Sequence, residues 1–425
     1  VSDRRRPIVL TCTRGAEAVL AAELEAILPD PAEAGLEQLR GAVQFSGTIE
    51  EAYRACLWSR IGSRVLVQLA SFDCPTADAL YEGVRSLHWK DHLGTRDSLA
   101  VTFVGTSMAI RNSRFGALRV KDAVVDSLRG EGGERPSVNL DQPDVRIHVR
   151  LADATATVAI DLSGNALHRR GNGGRVAGPA PLKENLAATL IHLSGWLDRA
   201  DDGVPLVDPM CGSGTLLTEA GGMALDRAPG RGRQRWGFTH WRPHDPERWE
   251  RLLEEADDRA AAAAGRRPLI YGADIHPEAM DATLKNGLAL NLKFKLACQD
   301  FLRSDPPGSD GPGVIVTNPP YGERLGDSDD MPALYASIGD VLKRRWPGWS
   351  AWILAGDLTL AKRFGLRPTR KIEIFNGPLD CRFVHLEIGA AATGTDGPGW
   401  RPKTDDPAPP VAPLQPVAPV APVED

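Results

Sequence analysis

Short apolar runs and helical stripes alternate along most of the chain. Pro7–Thr13 predicts a strand. Gly15–Leu28, with Val19, Ala22, Leu24, Ile27 and Leu28 on one side, predicts an amphipathic helix. Gly41–Phe45 reads as a strand and Ile49–Trp58 as a second helix. Residues 61–165 repeat this mixture. Arg64–Ala70 and Leu99–Val104 predict strands, Val120–Leu128 a helix, and Val145–Leu151 with Thr155–Ile160 a closing pair of strands. From about residue 180 the rhythm changes. Helices predicted over Lys183–Leu193, Leu216–Leu225, Pro246–Ala264, Pro277–Leu290 and Ala333–Leu342 alternate with strands ending near Asp208, at Leu269–Ala273, Val314–Thr317 and Ala351–Ala355. Strands alternating with helices predict a largely parallel, doubly wound α/β sheet over residues 170–390. Two smaller α+β units, 1–60 and 61–165, precede it. Residues 391–425 form a tail. Within it, 404–425 hold seven prolines, which remove amide donors and favour an extended, coreless segment.

Composition narrows the class. The 425 residues are 42% hydrophobic and 25% charged, a balance suited to buried cores. No apolar run approaches the ~20 residues of a membrane span, and the start VSDRRRPIVLTC is too short in apolar residues for a secretory signal. The expectation is a cytoplasmic protein without membrane contact. Six cysteines, at 12, 56, 74, 211, 298 and 381, show neither CxxC nor zinc spacing, so no metal is expected and the thiols read as reduced. The net charge of −6 means that any nucleic-acid contact must come from local basic patches.

Two strings carry candidate chemistry. Asp208-Pro209-Met210-Cys211-Gly212-Ser213-Gly214-Thr215 stands where a strand ends and a helix begins. Glycines there permit a tight turn and close approach to a ligand, and the helix start offers free amides. Asp274, ending the next strand, is an acidic residue suited to accept two ribose hydroxyls. It lies 60 residues after Gly214, against about 20 in dinucleotide sites, because an arginine-rich loop and the helix 246–264 intervene. No Walker lysine follows the glycines. The second string is Thr317-Asn318-Pro319-Pro320-Tyr321-Gly322, directly after a strand. Its prolines stiffen an extended loop. The Asn318 amide oxygen and the Pro319 carbonyl are two acceptors for an exocyclic amino group, and Tyr321 is a face for a planar base.

These strings resemble the class I S-adenosylmethionine-dependent methyltransferases that alkylate planar nitrogens. TNPPYGERLG, with Asn376-Gly377-Pro378-Leu379-Asp380-Cys381, resembles more particularly the bacterial guanine-N2 methyltransferases of 23S rRNA that carry an amino-terminal THUMP domain. Ile110-Arg111-Asn112-Ser113-Arg114-Phe115-Gly116-Ala117, Val120-Lys121-Asp122-Ala123, Trp236-Gly237-Phe238 and Pro181-Leu182-Lys183-Glu184 extend the resemblance to residues 7–388. It implies a ferredoxin-like subdomain at 1–60, a THUMP domain at 61–165 and a Rossmann-like catalytic domain at 170–390. It implies S-adenosylmethionine held by the 208–215 loop, with Asp274 on ribose and Asp300 near the adenine amino group. It places a flipped guanine at Asn318, Pro319, Pro320 and Tyr321. Some members carry a second fused methyltransferase. Here the chain ends soon after the first, so one activity is expected. Glu323 is a candidate base and equally a surface carboxylate.

Three basic stretches are candidates for RNA contact: 109–129 with Arg111, Arg114 and Lys121; 166–183 with Arg169 and Arg170; and 227–242 with Arg233, Arg235, Trp236, Phe238 and Trp241. Trp58, Trp89 and Trp196 read as core. The rivals are a THUMP-containing tRNA guanine-N2 methyltransferase, an N6-adenine DNA methyltransferase, and a non-catalytic RNA-binding assembly factor.

Overall fold

The structure is a computed structural model describing residues 4–129, 134–171, 176, 182–308, 311–320, 331–356 and 358–389. The strands are β1 Arg6–Thr11, β2 Glu37–Leu39, β3 Ala42–Gly47, β4 Arg64–Asp73, β5 Ser98–Val104, β6 Ser137–Val138, β7 Val145–Ala152, β8 Thr155–Asp161, β9 Leu206–Asp208, β10 Ile270–Asp274, β11 Lys295–Cys298, β12 Val314–Thr317, β13 Ser350–Ala355, β14 Arg370–Asn376 and β15 Leu379–Glu387.

They build two sheets. The first eight strands run in the order β2-β3-β1-β4-β8-β7-β5-β6. β4 pairs with β1 on one side and β8 on the other, so residues 6–47 and 98–161 share one continuous sheet. Alternation explains its buried face: Ile8 and Leu10 of β1, and Ile147, Val149 and Leu151 of β7, point into the same core. Helix Ile49–Trp58 covers part of that core. It starts where the sequence predicts because Thr48 and Glu51 form a reciprocal capping box.

The second sheet has the order β11-β10-β9-β12-β13-β15-β14. The neighbours from β11 to β13 are parallel, while β15 runs antiparallel to both β13 and β14. Separate apolar clusters fill its two faces. The chain order reverses direction between β9 and β12, and in such sheets ligands bind outside the carboxyl ends of the strands at that point.

The long insertion ahead of β10 does not pack as a simple part of this second sheet. Trp236, Phe238, Trp241, Leu252 and Ala256 belong to the core of the first module. Phe238 and Trp249 lie against Tyr53, and Arg54 makes two 2.6 Å hydrogen bonds to Glu255. This insertion is the source of the 60-residue spacing, and it fastens the modules together. It also corrects one expectation: Trp236, Phe238 and Trp241 are buried and cannot stack on bases. Trp58, Trp89 and Trp196 are buried, as expected.

Candidate active site

The glycine turn leaves the end of β9 under close local control. The Met210 amide donates to Asp208 Oδ1 at 3.2 Å, and the Cys211 amide to the Ala273 carbonyl at 2.9 Å. Gly212 donates to Asp274 Oδ2 at 2.9 Å. Gly212 and Gly214 have φ of +53° and +76°, in the left-handed region. A side chain on Gly214 would also meet Thr283 at 2.7 Å, whereas a Cβ on Gly212 meets nothing within 4 Å. Space is therefore open beside Gly212. Helix Thr215–Ala224 then begins without a side-chain cap. Its first amides suit a carboxylate.

Two residues without a sequence signal hold this turn from behind. Thr283 donates its hydroxyl to the Gly212 carbonyl at 2.7 Å, and Asn286 donates to the Ser213 carbonyl at 2.8 Å. Asn286 also exchanges hydrogen bonds with the backbone of Val176, at 2.9 and 3.0 Å. Both sit on helix Pro277–Ala289. Their task depends on where that helix packs.

Asp208, Asp274 and Asp300 come together at the ends of adjacent strands β9, β10 and β11. Asp274 is half-buried, and its Oδ1 accepts from the His276 amide at 3.0 Å. Each of its oxygens thus has one backbone donor and retains a lone pair for a hydroxyl. Asp300 caps the short turn Phe301–Arg303 through Leu302, at 2.9 Å. Burial raises the Asp208 carboxyl to about 7, the Asp274 charge adds to the rise, and hydrogen bonds from Thr317 and Met210 oppose it. Burial, with Asp208 beside it, also pushes the Cys211 thiol up, so it is neutral and no nucleophile.

β12 carries the second loop to the strand end beside the glycine turn. Thr317 donates to Asp208 Oδ1 at 2.7 Å. Asn318 follows, with its amide Oδ1 buried and without a hydrogen-bond partner among the described residues. Pro319 is buried and Pro320 exposed. Tyr321 and Glu323 lie outside the described residues, as do residues 172–175 and the tail. The open space at Gly212, the uncapped helix, the strand-end carboxylates and the orphaned acceptor fit a nucleoside with a carboxylated side chain, and beside it an amino group.

The candidate RNA contacts divide into two sets. Arg111, Arg114, Arg169 and Arg235 are exposed. Lys121 is half-exposed and pairs with Asp122. Arg170 does not belong with them. It is only 7% exposed and binds Glu219 at 3.1 and 3.2 Å and the Leu167 and Arg60 carbonyls at 3.1 and 2.8 Å. Arg233 is likewise structural. It donates to the carbonyls of Ser163, Asn165 and Ala166 and lies over the Trp236 ring, and burial lowers it to about 10. Their positive charge is legible in the sequence, but their burial is not.

Comparison with known proteins places these features. The profile of the RMKL-like methyltransferase domain matches residues 173–385, just over half of the chain. Profiles of the THUMP domain and of the RlmL ferredoxin-like domain match residues 74–161 and 7–66. The chain is 42% identical over 383 residues to the ribosomal RNA large subunit methyltransferase K/L of Methylococcus capsulatus, covering 90% of this chain and 51% of that protein. It is 43% identical over 396 residues to the enzyme of the same name from Ectopseudomonas mendocina, covering 91% and 53%. The chain thus spans about half the length of the curated relatives it matches. Among solved structures, SMU.472 complexed with SAH superposes with a TM-score of 0.79 at 29% identity, covering 92% of this chain and all of that one. With the glycine turn, the strand-end acids and the 3-2-1-4-5-7-6 order of its seven-stranded sheet, the chain belongs to the RMKL-like methyltransferase family.

Proposed function

We propose that this chain methylates the exocyclic N2 amino group of a guanosine in 23S rRNA, in the cytoplasm, with S-adenosylmethionine as methyl donor. The observation that carries this reading is Asn318 Oδ1, buried and without a hydrogen-bond partner among the described residues, just after the strand that lies beside β9. An orphaned buried acceptor costs about 1–3 kcal/mol. An amino group delivered by the substrate offsets that cost.

The residues take distinct tasks. Asp208 through Thr215 hold the methionine part of the cofactor, Asp274 accepts from its ribose, and Asp300 lies toward the adenine. Bound cofactor would supply an electrophilic methyl group and leave as the thioether, and the proton lost by the amino group would pass to solvent. Asn318 and the Pro319 carbonyl accept the two N–H bonds of guanine N2, whose lone pair is otherwise delocalised into the ring. These acceptors strengthen their hold as the nitrogen becomes positive, so they favour the transition state over the bound ground state. Pro320 stiffens the loop, and Tyr321 stacks on the flipped base.

The amino-terminal module grips the RNA, which favours RNA over a DNA substrate. Arg111 and Arg114 neutralise phosphates. Beside them in sequence, exposed Met108, Phe115 and Leu118 offer apolar contact to unpaired bases, with Met108 83% exposed. Arg169 and Arg235 extend the basic surface. The division at 1–60, 61–165 and 170–390 follows from the same reading. Nucleoside mass spectrometry of ribosomal and transfer RNA from a deletion strain tests it. Loss of N2-methylguanosine from 23S rRNA alone supports the reading, and loss from tRNA alone overturns it.

A further inference from the structure

The ladder between β9 and β12 stops at Val207 and Ile315. Beyond it the strands part, β9 into the glycine turn and β12 into the Asn318 loop. Thr317 Oγ1 spans this opening to Asp208 Oδ1 at 2.7 Å. Both residues are shielded from water, at 1% and 2% exposed. A hydrogen bond to a buried carboxylate is short, strong and not exchanged with solvent. The same carboxylate oxygen accepts the Met210 amide that starts the turn. On the other side Thr317 is fixed by its pairing with Ile353 of β13, and its β-branched side chain has few rotamers. One oxygen atom therefore registers the glycine turn against the residue that precedes Asn318.

We propose that Thr317 is a positioning residue whose hydroxyl, through Asp208, fixes the distance between the cofactor turn and the amino-group acceptor Asn318. This inference rests on the functional reading given above. A small displacement between reacting groups is enough to lower a rate by about 100-fold while leaving binding intact. Asp208 is faced by the Asp274 carboxylate, the Cys211 thiol, the Thr317 hydroxyl and the Met210 amide. Burial and Asp274 favour its protonated form, and the Thr317 hydrogen bond opposes them. Removing that hydroxyl moves Asp208 ionisation to higher pH.

The test uses the full chain, deproteinised 23S rRNA and S-adenosylmethionine under single-turnover conditions from pH 5.5 to 9. Thr317→Val is expected to slow methyl transfer roughly 10- to 100-fold, with the affinities for cofactor and RNA at pH 8 within about threefold of the parent. The parent rate is expected to fall on the acid side as Asp208 gains its proton and holds the Met210 amide less firmly, and in Thr317→Val this acid limb lies at higher pH. Thr317→Ser restores both rate and limb. A second readout needs no turnover: the pH at which Asp208→Asn changes the melting temperature moves upward when Thr317→Val is also present. Should Thr317→Val fail to fold, Thr317→Ala takes its place, with the same loss of rate expected and the same rescue by Thr317→Ser. The inference is overturned if Thr317→Val keeps the parent rate and limb, if Thr317→Ser is as slow as Thr317→Val, or if Asp208→Asn keeps the limb. Asn318→Ala separates the two levels. If it is inactive while Thr317→Val is normal, only the positioning role falls. If it is fully active, the functional reading falls as well.

Discussion

Asp274 and Asp208 stand at neighbouring strand ends, yet their surroundings assign them different tasks. Asp274 is half-buried and braces the turn through Gly212 while keeping lone pairs free. Asp274→Ala is expected to weaken cofactor binding by about 1.5–3 kcal/mol in calorimetry and to leave RNA binding unchanged. Asp208 is buried, and its carboxyl is raised to about 7. The sign of its stability effect follows. Between about pH 4 and 7 the unfolded chain ionises this group while the folded chain holds its proton, so stability falls as pH rises. Asp208→Asn removes that term, and should raise the melting temperature at pH 8 with a gain that shrinks toward pH 4. A gain equal at both pH values contradicts the assignment. Asp208, Gly212, Gly214, Asp274 and Asn318 are legible because turn chemistry is written in adjacent residues. Thr283 and Asn286 are not, because a helical hydroxyl and amide acquire their roles only when the helix packs behind the turn.

Among elements, the decisive junction ties the amino-terminal module to the helix after the glycine turn. Glu219 on that helix accepts from Arg60 at 2.8 Å and from Arg170 at 3.1 and 3.2 Å. Burial alone would raise its carboxyl, but the charges of Arg170 and Arg60 outweigh burial and hold it below its ordinary value. Glu23, from helix Glu17–Ile27, accepts the Ser59 hydroxyl at 2.6 Å and the Arg60 amide at 2.7 Å. Breaking such a buried group strands the opposite charges. Glu219→Gln is therefore expected to cost about 3–5 kcal/mol in denaturant unfolding. Arg170→Ala should likewise destabilise. Arg111→Ala with Arg114→Ala should instead leave the melting temperature unchanged and weaken RNA binding. It should also flatten the salt dependence of binding, by about one unit of slope for each phosphate no longer neutralised. Equal effects of both changes on stability would merge the two sets of arginines. Sequence periodicity locates most strands and helices, but not helix Ala77–Arg85, whose fully buried positions are only Leu80 and Val84. Nor does it reveal the β14–β15 hairpin, which explains Gly377 and Pro378 as the turn between paired strands, with Gly377 at φ +61°.

At the scale of the whole molecule, the insertion places apolar residues of the carboxy-terminal half in the core of the amino-terminal module. A piece confined to residues 170–390 would expose Trp236, Phe238, Trp241, Leu252 and Ala256, all buried against the amino-terminal module. It is expected to melt at lower temperature than the full chain and to aggregate. A soluble, cooperatively folding piece with normal cofactor affinity contradicts this. The alternating apolar pattern holds no hint of the arrangement, because helix Pro246–Ala262 reads the same whichever core it joins.

The most direct test is a single-turnover comparison of the parent chain with Asn318→Ala on 23S rRNA, with saturating cofactor and nucleosides identified by mass spectrometry. The parent should form N2-methylguanosine, and Asn318→Ala should form it about 100-fold more slowly or worse while binding both ligands normally. A near-parent rate for Asn318→Ala, or a methyl group on a different nucleoside, would contradict the account.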